Sequence, residues 1–378
     1  MIDWTRYSTE PTDSTLNDYP TAIDILKDIV GLEEEEAMYD MPLDMLKSFM
    51  RNPFEYGRYV MEYEEQLGFP VLRPSSRSPF TYYRGQYCYY KSCLPSLYRF
   101  EGEKLEEETV RSYFQTAEMV LVMKTHPVIR FLETRGIMND KLGCVPLVVM
   151  YDGLAQHYGI NTCYMDFTND IWTAIFFATT EFKGKDCYPK LVKESDEIKE
   201  RFGVIYRLDY DPRFGFDDSA IEDIMPIGLQ YFNRPGRQFG FVRKMSDVRD
   251  LHKVPRLERI FFRHDNEVAK LLFSLSQFGK KYMPEDSLVG IVERIREDNR
   301  FCNQTIELVR RIYYPTLTAE EVKSKAMKYG FAFQDHLKVN FPKDDVNAEY
   351  QEWLNGRAQR YKDNIIITPV AHVSDSVL

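Results

Sequence analysis

The stretch from Leu154 to Thr168, Leu-Ala-Gln-His-Tyr-Gly-Ile-Asn-Thr-Cys-Tyr-Met-Asp-Phe-Thr, runs into Ile171-Trp-Thr-Ala-Ile-Phe-Phe-Ala178 and decides how this chain is read. It sets a dense polar group between two apolar segments. Gly159 suits the position just past a helix end, so the pattern predicts a helix from about Pro146 to Tyr158. Asn169 or Asp170 can cap a second helix, in which Ile171, Ala174, Ile175 and Ala178 follow the i, i+3, i+4, i+7 spacing. Polar side chains between two packed helices are costly unless hydrogen-bonded, so this group lines a cleft or forms a buried network. A lone histidine such as His157 is more often structural than catalytic; the cluster as a whole carries the functional expectation.

Working outward, Phe80-Thr-Tyr-Tyr83 is a β-prone run that ends at Arg84-Gly85, where glycine lets the backbone turn sharply. An arginine there offers a planar, permanently charged fork to a phosphate; the alternative is a structural pair with a buried carboxylate. Pro70, Pro74 and Pro79, with three serines among them, predict a boundary after a helical lead-in over residues 1–75. In that lead-in Ile23, Leu26, Ile29 and Val30 share a helical face, the acidic run Glu33 to Glu36 follows, and Leu43, Leu46 and Phe49 suggest a second helix. A helix from Leu105 to Lys124 is expected to stop at Pro127. Downstream, strand-like runs at Val204 to Leu208, Gln238 to Val242 and Ile260 to Phe262 mix with helical runs at Glu267 to Phe278 and Asp286 to Ile295. This predicts an α+β fold with a mixed central domain of short strands and packed helices. Residues 298–378 read as an α+β C-terminal extension: Thr318-Ala-Glu-Glu321 is a capping box opening a helix to about Tyr329, a helix follows around Ala348 to Tyr361, and Ile365 to Ile367 is β-prone.

Composition narrows the function classes. The 378 residues carry 49 Lys+Arg against 59 Asp+Glu, a net charge of −10, which argues against a whole-surface phosphate binder and leaves room for a local basic groove. Arg234, Arg237, Arg243 and Lys244, interleaved with Tyr231, Phe232 and Phe241, are the stretch with that character; the alternative is a strand edge with inward aromatics. No apolar run approaches a membrane span, the start lacks a secretion signal, and the six cysteines show no CxxC spacing, so a cytoplasmic chain with reduced thiols and no bound metal is expected. P-loop, GxGxxG, GxSxG and HExxH motifs are absent. The 26 tyrosines are uneven. Tyr82, Tyr83, Tyr87, Tyr89 and Tyr90 crowd Arg84-Gly85, and Tyr151, Tyr158 and Tyr164 surround the polar group, which predicts tyrosine walls for one polar cleft.

Together the clusters resemble the FRG domain. Its name motif stands here as Tyr83-Arg84-Gly85, its L-PSL-R element as Leu94 to Arg99, its QHYG segment as Gln156 to Thr168, its A-x-F-F-A helix as Ala174 to Ala178, and its Q-x-G-x-F element as Gln238 to Phe241. The resemblance spans about residues 78–297. Cys163 and Phe167 depart from the arginine and tryptophan of the family pattern. What the family implies about activity is limited to an association with bacterial defence or toxin settings.

A more distant similarity, to ADP-ribosyltransferases, implies a split sheet and NAD as substrate, with ADP-ribose passed to a protein or nucleic-acid acceptor, or NAD hydrolysed. Under it, Arg84, Gly85, Gln86, Gln156, Tyr158, Thr162, Tyr164 and Thr168 would bind NAD. Arg84 would hold the pyrophosphate, Thr168 would support the ribose, and Tyr158 or Tyr164 would stack on nicotinamide. Asp166, Gln238 and His157 are the candidate catalytic residues. Gln238 stands where those enzymes carry a glutamate, so Asp166, Glu222 or Glu267 would have to supply the carboxylate that an oxocarbenium-like state requires. The alternative is a non-catalytic ligand-sensing or protein-interaction module, in which Arg84, His157, Thr162 and Asp166 satisfy one another.

Overall fold

Six antiparallel strands form the centre of the molecule: β1 (Thr81–Gln86), β2 (Tyr164–Thr168), β3 (Phe202–Asp209), β4 (Ile224–Pro226), β5 (Gly240–Lys244) and β6 (Glu258–Arg263). Their spatial order is β4-β5-β2-β1-β3-β6. The computed structural model describes residues 3–34, 41–42, 45, 47, 50, 59–64, 69–74, 81–134, 137–139, 143–145, 149–184, 186–209, 224–227, 231–246, 248–352, 355 and 365–367. The fold is α+β, in agreement with the sequence reading.

Alternation along the strands divides the apolar residues between two cores. Tyr82, Phe167, Val204, Tyr206, Leu208 and Phe241 belong to one. It is closed by α2 (Gly102–Met123), α3 (Pro127–Thr134), α4 (Tyr151–His157) and, further along the chain, Ser287–Arg296. Tyr83, Ile205, Ile260 and Phe262 belong to the other, under α1 (Ala22–Glu34) and α5 (Ile171–Ala178). In α1 Leu26, Ile29 and Val30 of the expected face are buried, joined by Ile25, whereas Ile23 is only half-buried. Helix α5 is apolar nearly all round and is buried nearly all round, from Ile171 to Phe176 and again at Ala178. Asp170 caps it, its carboxylate accepting from Thr173 N (2.8 Å) and Thr173 Oγ1 (2.7 Å).

The sheet is divided down the middle. Among the described residues β1 and β2 meet at Tyr83 opposite Thr168. On their outer sides β1 runs along β3 from Thr81 to Gln86, and β2 along β5 from Tyr164 to Thr168. Helix α5 lies directly on β1 at Gly85: a Cβ there would sit 1.8 Å from the Ala174 carbonyl oxygen and 2.8 Å from Ala178 N. This corrects the expectation of a turn. The strand continues through Gly85 to Gln86, and the glycine is required by helix backbone pressed against strand backbone.

Other sequence expectations are revised in detail. Pro127 opens α3 as well as ending α2. The lead-in is not all helical: Tyr59–Glu64 pairs with Phe69–Pro74 and with Ile365–Ile367. The proline-rich run therefore contains a strand, and it is an edge strand, where a missing N–H is tolerated. Leu43, Leu46, Phe49 and Pro146 lie outside the described residues. The capping box at Thr318 and Glu321 is present. A helix at Lys343–Glu352 covers only the start of the one expected around Ala348 to Tyr361, and most of the remainder is outside the described residues.

The C-terminal extension is built onto α2. Its helices Gln304–Tyr313 and Ala319–Lys328 bury Ile306, Val309, Val322 and Ala326 against Val110, Phe114 and Ala117. The fully buried Glu118 accepts from Cys302 N and Lys338 N, both at 2.8 Å.

Replacing Gly85 with alanine forces backbone apart from backbone and is expected to cost several kcal/mol, on the scale of severe overpacking (~3 kcal/mol or more). Gly290, exposed in Ser287–Arg296 with nothing within 4 Å of a built Cβ, is the control. Gly290→Ala is expected to be neutral or to stabilise by up to ~1 kcal/mol. Urea denaturation of both variants measures the contrast.

Candidate functional site

Past Tyr83 and Thr168 the two central strands part, and Arg84 bridges the opening, its Nη1 donating 2.9 Å to the Asp166 carbonyl. The Asp166 carboxylate, one-third exposed, meets the C-terminal end of α4. Gln156 Nε2 donates to Asp166 Oδ2 at 3.4 Å. His157 Nε2 stands 3.3 Å from Asp166 Oδ1 but is not aligned as a hydrogen bond, and the two would pair in charge only on protonation of the imidazole. Gly240, the first residue of β5, leaves room for the imidazole. A Cβ there would lie 3.1 Å from His157 Cε1, 3.2 Å from its Nε2 and 3.2 Å from the Pro235 carbonyl oxygen.

A second group supports this centre. Thr162 Oγ1 donates 2.6 Å to Gln156 Oε1 and accepts 3.1 Å from Tyr164 N, while Thr162 N donates 3.1 Å to Ser96 Oγ. The Pro95-Ser96-Leu97 element is thus tied to the strand carrying Asp166. From the other side, Arg234 in the short helix Asn233–Arg237 donates through Nη1 to the His157 carbonyl (3.3 Å) and lies 4.8 Å over the Tyr158 ring. Tyr158 is buried and donates its hydroxyl to Asp286.

Burial is the largest influence on His157 and holds its pKa below the ordinary 6.5; the Asp166 carboxylate opposes this, and Arg234 and Arg84 reinforce it. The imidazole is therefore neutral at pH 7. The Cys93 thiol beside Arg84 is pushed up by burial, against the pull of that guanidinium. Tyr158 is raised by burial and then by Asp286.

The structure brings Arg84, Gln156, His157, Thr162 and Asp166 into one network. Other candidates sit at its edges. Gly85 faces α5, and Gln86 accepts from Cys93 Sγ at 3.7 Å. Thr168 Oγ1 accepts from Asp170 N (3.1 Å) and serves the α5 cap. Tyr164 is buried with Ile227 and Val242. Gln238 is not on a strand: it caps Asn233–Arg237, and its Nε2 donates 2.8 Å to the Tyr282 carbonyl. Glu267 pairs with Lys270 on an exposed helix face, and Glu222 lies outside the described residues.

The tyrosines do not wall an open cleft. Tyr82 and Tyr83 are in the two cores, and Arg234 covers Tyr158. Nor is the basic and aromatic run a surface groove, because Arg243, Tyr231, Phe232 and Phe241 are buried. The sequence reading missed Arg234, Ser96 and Gly240 as parts of the site. Ser96 and Gly240 lay within motifs already quoted, whereas Arg234 looked like one cation among several.

Residues 80–187 match the model of the FRG domain family. The match takes in β1, α2, the polar network and α5, and it supports the FRG resemblance over that segment. No curated protein and no solved structure matches the chain. Among the described residues no helix is long and apolar enough to cross a membrane, and no group of three His, Cys, Asp or Glu is placed to hold a metal ion.

A histidine with a depressed pKa favours the folded state above its unfolded value of 6.5, and that contribution is lost as pH falls. His264, buried with Nε2 2.8 Å from the Tyr87 carbonyl and lowered by burial to about 4, acts in the same direction. The urea midpoint is expected to fall between pH 6.5 and 5, above the main carboxylate range. His264→Gln, which keeps a donor to Tyr87, is expected to flatten the slope. A midpoint that rises toward pH 5 contradicts the assignment.

Proposed function

We propose that the network at the sheet opening binds the pyrophosphate and ribose of NAD and passes ADP-ribose to a macromolecular acceptor or to water. The observation that carries this reading is a pair of guanidinium groups bound to the main chain of neighbouring network residues, Arg84 to the Asp166 carbonyl and Arg234 to the His157 carbonyl. Arg84 and Arg234 each keep a buried Nε without a hydrogen-bond partner, and Asp166 stands with them in the same network. An unpaired buried donor costs roughly 1–3 kcal/mol, so two at one locus favour a site completed by an anionic ligand. Arginine forks suit phosphate oxygens, and the partly exposed Asp166 carboxylate can stabilise positive charge developing at the ribose. Gln156, donating to Asp166 Oδ2, orients that carboxylate. The defence or toxin setting is proposed on family association alone.

A second reading, a non-catalytic ligand-sensing or protein-interaction module, draws on a different observation. Gln156, Thr162 and Gln238 already satisfy one another or the backbone, as members of a structural network do.

Incubation with NAD labelled in the adenylate moiety separates the two readings. Nicotinamide release or label transfer is expected from the native chain, with a loss of roughly 100-fold or more in Asp166→Asn, a variant whose circular dichroism should be unchanged. Absence of turnover together with absence of a thermal shift from NAD supports the module.

A further inference from the structure

An open cleft of about 510 Å³ is lined by Leu94, Ser246, Val248, Arg249, Asp250 and Lys253, none of them a member of the Arg84 network. Its volume is in the range of small-ligand sites, and its lining combines two apolar side chains with cations and a hydroxyl. The surrounding sequence runs against the acidity of the whole chain: residues 243–263 hold seven basic residues (Arg243, Lys244, Arg249, Lys253, Arg256, Arg259, Arg263) against three acidic ones (Asp247, Asp250, Glu258).

The cations at the cleft are uncommitted to carboxylates among the described residues. Arg249 is exposed and lies over Tyr98, with Cζ 4.8 Å from the ring centroid. Lys253 is exposed on the short turn Leu251–Lys253. Arg99, outside the lining, donates from Nε to the carbonyl of Leu94 at 3.3 Å. The acidic lining residue is occupied: Asp250 Oδ1 accepts from Cys93 N (3.0 Å) and from His252 N (3.1 Å). These bonds tie Asp250 to the cleft wall. Asp247 lies outside the described residues.

We propose that this cleft binds a compact phosphate-bearing ligand of nucleoside diphosphate size. Arg249 and Lys253 take the phosphates, Ser246 donates to them, and Leu94 and Val248 flank the less polar end. The cleft shares no lining residue with the Arg84 network, so the proposal stands independently of the reading given above for that network.

Isothermal titration with inorganic pyrophosphate, ADP and adenosine tests it. ADP and pyrophosphate are expected to bind, more weakly as salt is raised, and adenosine to give no measurable heat. The double variant R249A/K253A is expected to weaken binding at this site roughly tenfold to a hundredfold, as loss of charged hydrogen bonds does, with an unchanged melting temperature. Arg249→Lys together with Lys253→Arg should retain it. Lys253→Glu alone carries the same expectation of loss if the double variant fails to fold. Because the Arg84 network could also take ADP, the titrations are repeated on Arg84→Ala, where the cleft should still bind. The proposal is overturned by absence of pyrophosphate and ADP binding, by binding that R249A/K253A leaves intact, or by binding that only Arg84→Ala abolishes. It is equally overturned if the double variant loses affinity for a single-stranded oligonucleotide while the native chain ignores ADP.

Discussion

Everything around the candidate site depends on one contact, the backbone of α5 lying on the backbone of β1 at Gly85. Small residues at Ala174 and Ala178 make the approach possible, and the absence of a side chain at Gly85 completes it. Because α5 follows directly from β2, this contact fixes where β2 runs relative to β1. Close packing tolerates little adjustment at such a point, so the helix position and the opening of the sheet are set together. The Arg84 side chain then spans the gap that the parting strands leave.

The same constraint changes the meaning of the Arg-Gly pair. The glycine faces the helix and the arginine faces the opening, since neighbouring residues of a strand point to opposite sides. One position makes the architecture and the next meets the polar network. Thr168 and Asp170 both fall on the architectural side, serving the start of α5. Much of the motif is therefore scaffold, and under the function proposed above the chemistry would fall to Arg84, His157, Asp166 and Arg234.

The sequence was most legible where one local cause dominates. The helix after Asp170, the glycine past α4 and the Thr318 capping box each follow from a side chain acting within its own turn. The polar cluster was legible as a group because burying it without partners is expensive. What could not be read were contacts between distant segments: Gly85 against Ala174, Gly240 against His157, and Arg234 over Tyr158. A glycine required by tertiary approach looks the same in sequence as one required by a turn. The tyrosines misled for a related reason, because a ring beside a polar motif can equally be core, and here Tyr82 and Tyr83 are.

Glu118 has a consequence for the order in which the chain can mature. Its two oxygens are met by main-chain groups 184 and 220 residues further on. During synthesis, α2 emerges long before Cys302 and Lys338 exist to donate their amide hydrogens to Glu118. Closing loops of that length is slow compared with forming a helix. Until the last part of the chain is made, the carboxylate must stay hydrated, so that flank of α2 remains wet and loosely held. The packing of α2 against the C-terminal extension is thus finished late, by a segment outside the matched residues 80–187.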